Sequence, residues 1–455
     1  MNLTNILRNL PEVAKPTEKK LSFNVKLKWT LIVLVGFFVL ANIPLYALAK
    51  NSLDRFEYLA IILGTDFGSI ISLGIGPIVM ASIILQLLVG AKIINIDVTT
   101  HEGKKHFQGL QKLVVLFFVV FEAVVYVAMQ GLQAVPGYAG IVIIQLMVGG
   151  LLIVFMDELV SNWGFGTGVS LFIVAGVSWR LFAELFQFID PATKQLGAVG
   201  NIPALVSSLI NGDTSGVLKV LTVLIATIAV FLIVVWAQSL KVEIPLSFDR
   251  LRGYAIRWPL SFFYTSNIPV ILTAALVANL QLFAGLVENW AGHATLLGGF
   301  SQGQPVSGLV FWASSSNILG AVVTGSFRVI MAFQGLSHMI IYMAFSTIFA
   351  IFWVKTSGMD ARSQARNILA SGLQIPGFRK DERILESILE RYVMPLTVMG
   401  GMAVGFLASI ADLTGALAGG TSILLAVMIM YQFYQNIAQQ HAMDMHPALR
   451  GIIGA

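Results

Sequence analysis

"SLGIGPIVMASIILQLLVG" (72–90) and "SNIPVILTAALVANLQLF" (266–283) are apolar stretches each broken by proline, Pro77 in the first and Pro269 in the second. Along the chain they fall second and seventh of ten apolar segments, so they hold the same place in two successive groups of five. Within lipid, a helix-breaking residue is tolerated only where the freed backbone faces protein or a water-lined cavity. Matched breaks in matched segments therefore point to a pore or a substrate site at the centre of a membrane protein.

Composition agrees. The chain is 57% hydrophobic and 11% charged, with a mean hydropathy of +0.83, whereas soluble domains carry roughly 25% charged residues. It has no cysteine, which excludes disulfides and thiolate metal sites. Apolar runs of about 17–25 residues suffice to cross the hydrocarbon as helices. Ten are expected, near 27–48, 74–89, 110–129, 140–155, 169–188, 217–236, 262–283, 339–354, 393–410 and 421–433.

An even number of spans puts both termini on one side, and the cations choose the side. With both ends inside, only Lys50, Arg55, Arg180, Lys194, Lys219 and Arg328, of 28 Lys and Arg residues, fall outside. The positive-inside rule then makes both termini cytoplasmic. The basic first 28 residues, with no small-residue cleavage site after a short apolar core, are expected to be a cytoplasmic amphipathic segment and not a secretory signal. The expected fold is an all-α polytopic membrane protein of ten transmembrane helices in two pseudo-symmetric, inverted halves of five. Residues 29–190 form the first half, 191–216 an external hinge loop, 217–434 the second half, and 435–455 a cytoplasmic tail.

Two inner loops are strongly basic: 238–259, and 355–391, in which "ILESILERY" (384–392) has the pattern of a short amphipathic helix. Such loops obey topology and touch lipid headgroups. They also suit a large acidic partner, because Arg250, Arg252, Arg257, Arg379 and Lys380 could pair with phosphates or carboxylates.

Catalytic and ion-coupling chemistry is missing. Glu122 is the only acid well inside an apolar run, and Asp157 and Glu158, adjacent on one helix, point about 100° apart and make a poor acid–base pair. No histidine has metal-type spacing, and no phosphate-binding loop or nucleophile elbow is present. "NWGFGTG" (162–168) is a tight loop entering a helix, since no strand precedes it. No cofactor is expected, and energy for transport has to come from a partner or from the substrate's own movement.

Seven stretches in order carry a family resemblance: "LGIGPIVMASIILQLLVG" (73–90), "FQGLQK" (107–112), "MDELVSNWGFGTGVSLFIVAGV" (156–177), "VEIPL" (242–246), "SNIPVIL" (266–272), "GFRK" (377–380) and "GFLASIADLTGALAGGTSILL" (405–425). With them the whole chain resembles the SecY-type pore subunit of the Sec protein-conducting channel, in its archaeal form. The resemblance implies an hourglass shut by an aliphatic ring, here Ile75, Val79, Val169, Ile173, Ile271 and Leu425. It makes 56–72 a short plug helix, with Phe56, Leu59, Ile62, Asp66 and Ser72. From the residues alone, that stretch is an outer re-entrant loop whose charges argue against a full span.

The same resemblance makes the two broken segments a lateral gate, with Gln86, Asn267, Ile268 and Pro269 at the seam. A polar seam is expected to oppose opening towards lipid and to set how hydrophobic a signal must be. The plainer reading is that Gln86 and Asn267 satisfy backbone groups freed by Gly76 and Pro269. The implied partners are the ribosome with its nascent chain, bound by the two basic loops, small membrane subunits of SecE and Sec-β type, signal peptides and transmembrane segments as substrate, and the lipid bilayer of the cell membrane. A secondary transporter built on inverted repeats also predicts matched breaks, but the bare spans offer it no coupling site. An intramembrane enzyme would need facing polar side chains that these spans lack.

Overall fold

Both sequence breaks are helix starts. In the computed structural model, Pro77 and Pro269 stand in the first turn of α2 (Gly76–Gly90) and α8 (Ile268–Ala291), where the missing N–H costs no hydrogen bond. Described residues are 11–18, 21–51, 65–96, 100–188, 197, 199–248, 255–301, 303–370, 373–374 and 381–445.

The helices in chain order are α1 (Phe23–Ala41), α2, α3 (His101–Ala128), α4 (Ala139–Trp163), α5 (Gly168–Phe186), α6 (Asn201–Ile210), α7 (Thr214–Gln238), α8, α9 (Gly308–Ala313), α10 (Ile318–Val323), α11 (Val329–Ser357), α12 (Ala361–Ala370), α13 (Glu382–Leu413) and α14 (Gly420–Met445). Eight of them, α1, α3, α4, α5, α7, α8, α11 and α13, are long and apolar enough to cross a membrane. At 15 residues, α2 spans only about 22 Å of an apolar layer about 30 Å thick. The turns of 65–75 precede it, with Ile71, Leu73 and Ile75 fully buried.

Those turns are tied down from two sides. Leu45 N–H donates to Gly68 O and Ile70 N–H to Ile43 O, both at 2.9 Å, while Asn51 Nδ2 donates to Phe67 O at 2.9 Å. On α4, a Cβ added to Gly149 would stand 1.8 Å from Ile70 O, so the helix touches this backbone directly. Small residues serve the helix pairs in the same way. Gly401 and Gly405, four apart on α13, lie on α11, where an added Cβ would come within 2.9 Å of Ala350 Cβ and 2.6 Å of Tyr342 O. Close backbone approach of this kind is how helices associate in lipid, where burial supplies little net drive.

α8 is the central helix: 78% of its apolar window is buried, against 11% for α1. Contacts run from α2 to α8, α8 to α14, and α14 to α5. Residues of all four join one large apolar cluster. The outward faces stay oily, with Val35, Ile144 and Ile225 all more than 60% exposed.

Strands are short. β1 (Leu48–Asn51) pairs with β2 (Leu132–Ala134), and β5 (Gly299–Ser301) with β6 (Gln304–Ser307). The first basic loop is a hairpin of β3 (Lys241–Phe248) and β4 (Ala255–Ser261), extended by β7 (Leu373–Gln374) from the second. Ile244 and Leu260 pack with Ala365, Leu385 and Leu389 into a separate small core. There Tyr264 donates its hydroxyl to Met359 O at 2.6 Å, and burial first, then the Asp360 carboxylate, push its phenol above the usual range. The expected short helix at 384–392 is instead the start of the 32-residue α13, which runs on through Pro395 into the span.

Candidate functional site

Ile75 and Val79 at the start of α2, Ile173 on α5, Ile271 on α8 and Leu425 on α14 are all at most 5% exposed, and all belong to the same apolar cluster. Val169, at the first turn of α5, is half-buried and packs against that cluster. Four helices thus deliver aliphatic side chains to one buried region along the contacts α2–α8, α8–α14 and α14–α5. A tight apolar constriction gives an ion nothing in place of its hydration shell.

Beside this oil lie polar groups without partners. Gln86, Asn267 and Glu122 are 3%, 1% and 0% exposed. Among the described residues nothing bonds Gln86 Oε1, either polar atom of the Asn267 amide, or either oxygen of Glu122. Asn267 stands at the N-cap of α8 without capping it, directly after Ser266, whose backbone is left-handed at φ 54°. The plainer reading, that these amides satisfy freed backbone, therefore fails for Asn267. Ile268 and Pro269 form the first turn of α8, half-buried and buried. An unsatisfied buried polar group costs about 1–3 kcal/mol.

A family model described as SecY matches residues 69–434. The protein translocase subunit SecY of Methanothermobacter thermautotrophicus is 44% identical over 450 residues, covering 98% of this chain and 97% of that relative. The chain belongs to the SecY family. The subunit of the same name from Methanocaldococcus jannaschii is 40% identical over 452 residues, 99% of each chain. Among solved structures, "The structure of a protein conducting channel" superposes with a TM-score of 0.84 at 38% identity, covering 98% of this chain and 99% of the other. A structure titled for Sec61 in the canine ribosome-channel complex gives 0.80 at 38% identity over 98% and 99%. This SecY-family chain is accordingly a multi-pass membrane protein and a protein-translocation channel, not an enzyme.

Of the plug residues expected in this SecY chain, Asp66 and Ser72 are described. Asp66 O accepts Ser69 Oγ at 2.7 Å, and Ser72 Oγ accepts Gly68 N–H at 2.9 Å, so 65–72 are bonded turns and not helix. Phe56, Leu59 and Ile62 lie outside the described residues, as do Arg250, Arg252, Arg379 and Lys380. Arg257 sits on β4 opposite Pro245.

Asp157 and Glu158 have structural roles. Asp157 Oδ1 accepts Val169 N–H at 2.9 Å, at the start of α5. Glu158 pairs with Lys112 and accepts Val13 N–H at 3.0 Å. Among the described residues no group of three or more His, Asp or Glu could hold a metal. Sequence reasoning overlooked a polar knot at the other end of the bundle. His338 lies buried within α11, its Nε2 3.2 Å from Asp412 Oδ2 and its Nδ1 2.8 Å from Ala313 O. No periodic signal marks such a partnership, because its members lie 74 and 25 residues apart.

Proposed function

We propose that this chain carries unfolded polypeptide across the membrane along the axis between α2, α5, α8 and α14, and releases apolar segments sideways into lipid between α2 and α8. One observation carries the reading: Ile75, Val79, Ile173, Ile271 and Leu425, drawn from four helices, share one buried apolar cluster, and Val169 packs against it. They form the resting seal, which conforms to varied side chains and binds none tightly.

Ten spans make up the channel, the eight long apolar helices with α2 and α14, arranged as inverted halves over 29–190 and 217–434 with 191–216 as the hinge loop. Both termini face the cytoplasm, in the cell membrane. Residues 56–72, with Phe56, Leu59, Ile62, Asp66 and Ser72, are the plug. A similar structure, with a TM-score of 0.83, is titled for a plug domain that stabilises the closed state and maintains a membrane seal. Gln86, Asn267, Ile268 and Pro269 line the lateral gate.

The inner loops 238–259 and 355–391, through Arg250, Arg252, Arg257, Arg379 and Lys380, bind the translating ribosome, and the canine ribosome-channel complex among the similar structures supports this. Small subunits of SecE and Sec-β type accompany the chain. Photocrosslinkers at Ile75 and Ile271 should capture a stalled secretory nascent chain, and crosslinkers on the lipid-facing Ile144 and Ile225 should not. Equal labelling at all four positions, or none at the first two, would remove the pathway from this axis.

A further inference from the structure

Glu184 breaks a local rule. It is an acid in the last turn of α5, where the helix dipole disfavours negative charge. Arg180, one turn earlier, offsets this through Nε at 2.6 Å from Glu184 Oε1. A broken local rule of this kind is expected at functional or strained sites. The other carboxylate oxygen bonds elsewhere: Oε2 accepts the backbone N–H of Ala418 at 2.7 Å, across 234 residues of sequence.

Ala418 lies in the tight turn joining α13 to α14. Its φ is +53°, between Gly415 at +66° and Gly419 at +84°. A turn so built exposes N–H groups that its own backbone does not satisfy, and side chains from three helices take them. Thr227 on α7 accepts Leu417 N–H at 3.0 Å, Glu184 on α5 accepts that of Ala418, and Asp412 on α13 accepts that of Thr421 at 2.6 Å. His338 in turn fixes Asp412. Leu425 follows one helical turn after Thr421. On its main-chain side, Glu184 O accepts Asn201 Nδ2 at 2.9 Å, so one residue ties the α5–α6 connection to the turn that carries α14.

We propose that Glu184 is a positioning residue for the constriction: its bond to Ala418 holds the end of α14 against α5 and so sets where Leu425 meets the other apolar side chains. The proposal rests on the reading of Leu425 as part of the seal. Losing the bond lets the turn relax and the seal loosen, while the apolar side chains themselves are unchanged.

The test is the resting ion permeability of the channel, purified with the subunits that accompany it and placed in planar bilayers, with thermal unfolding measured in parallel. Glu184→Ala should raise resting permeability roughly tenfold, the population shift that follows from one lost charge-assisted hydrogen bond. Glu184→Gln keeps an acceptor for Ala418 and should restore the seal to within about threefold of the parent. Should the alanine variant not assemble, Glu184→Asp carries the test, since it keeps the charge but withdraws the acceptor, and it too should leak. A sealed Ala or Asp variant overturns the proposal. So does equal leakage of Ala and Gln alongside an equal fall in melting temperature, because that pattern assigns the residue to its ion pair with Arg180. Leu425→Ala is the control: if it does not leak, the reading of the seal itself fails; if it leaks and Glu184→Ala does not, only the present proposal fails.

Discussion

Oε2 of Glu122, on α3, stands 3.0 Å from where a Cβ on Gly76 would lie, so a fully buried carboxylate rests on the opening turn of the short helix α2. A side chain at this place would press on the carboxylate, which would have to give by a few tenths of an ångström. Gly76→Val should destabilise the protein by about 1–3 kcal/mol, as overpacking does, lowering its melting temperature. In Glu122→Ala that space is vacated, and adding Gly76→Val should then cost less, with a coupling of about 0.5–3 kcal/mol in a double-mutant cycle. Strict additivity of the two changes would deny the contact.

Asn267 changes the sign of an expectation. A polar seam was expected to oppose opening towards lipid. Asn267, however, is 1% exposed and has no partner among the described residues, so the packed state already carries the cost of its desolvation. Asn267→Leu removes that cost, about 1–3 kcal/mol, and should stabilise the packed state. The prediction is that signals of marginal hydrophobicity fail in the Leu variant while strongly apolar ones still insert. Insertion unchanged, or improved, across a graded signal series would show that the amide finds no such burden in the resting channel.

Ile271 is 5% exposed on the most buried candidate span. An asparagine there offers water hydrogen bonds where the isoleucine offers none, and a constriction that excludes ions by staying dry should then wet. Ile271→Asn should raise resting conductance roughly tenfold or more, whereas Ile271→Val, the loss of one methylene worth about 0.8 kcal/mol, should stay near the parent. Planar-bilayer recording separates them. Equal conductance in both would place Ile271 in ordinary helix packing.

The parts of this molecule readable in sequence are those with a local cause. Gly76, Pro77 and Pro269 break apolar runs, and the structure turns each break into a helix start. Long apolar runs marked the spans, although α14 continues to Met445 well beyond its apolar part. The β3–β4 hairpin was legible too: Val242, Ile244 and Leu246 alternate in the first strand. The aliphatic ring came from the family motifs and not from spacing, since isoleucines such as Ile75 and Ile271 look like any others in an apolar chain. Hidden altogether were Glu184, Thr227, His338 and Asp412, single polar residues whose partners lie far along the sequence. A lone acid near a helix end has no pattern until the fold brings Ala418 to it.

Lys112 and Glu158 offer the last check, at the end of the bundle near the basic loops. Their ion pair joins α3 to α4, with side chains 10% and 22% exposed, and Glu158 also receives Val13 N–H. Asn162 Nδ2 and Trp163 Nε1 donate to Val13 O and Ala14 O at 3.3 and 2.7 Å, so the C-terminal end of α4 holds the segment 11–18 through three bonds. Lys112→Met keeps the length of the side chain but leaves Glu158 without its cation, and removing one partner of a largely buried pair is costlier than removing both. Lys112→Met should therefore cost about 2–3 kcal/mol, and the double change Lys112→Met with Glu158→Gln less. Hydrogen exchange at Val13 should quicken in the double variant, because the amide that replaces the Glu158 carboxylate is a weaker acceptor. Protection at Val13 unaffected by that change would mean that the segment is held by Asn162 and Trp163 alone.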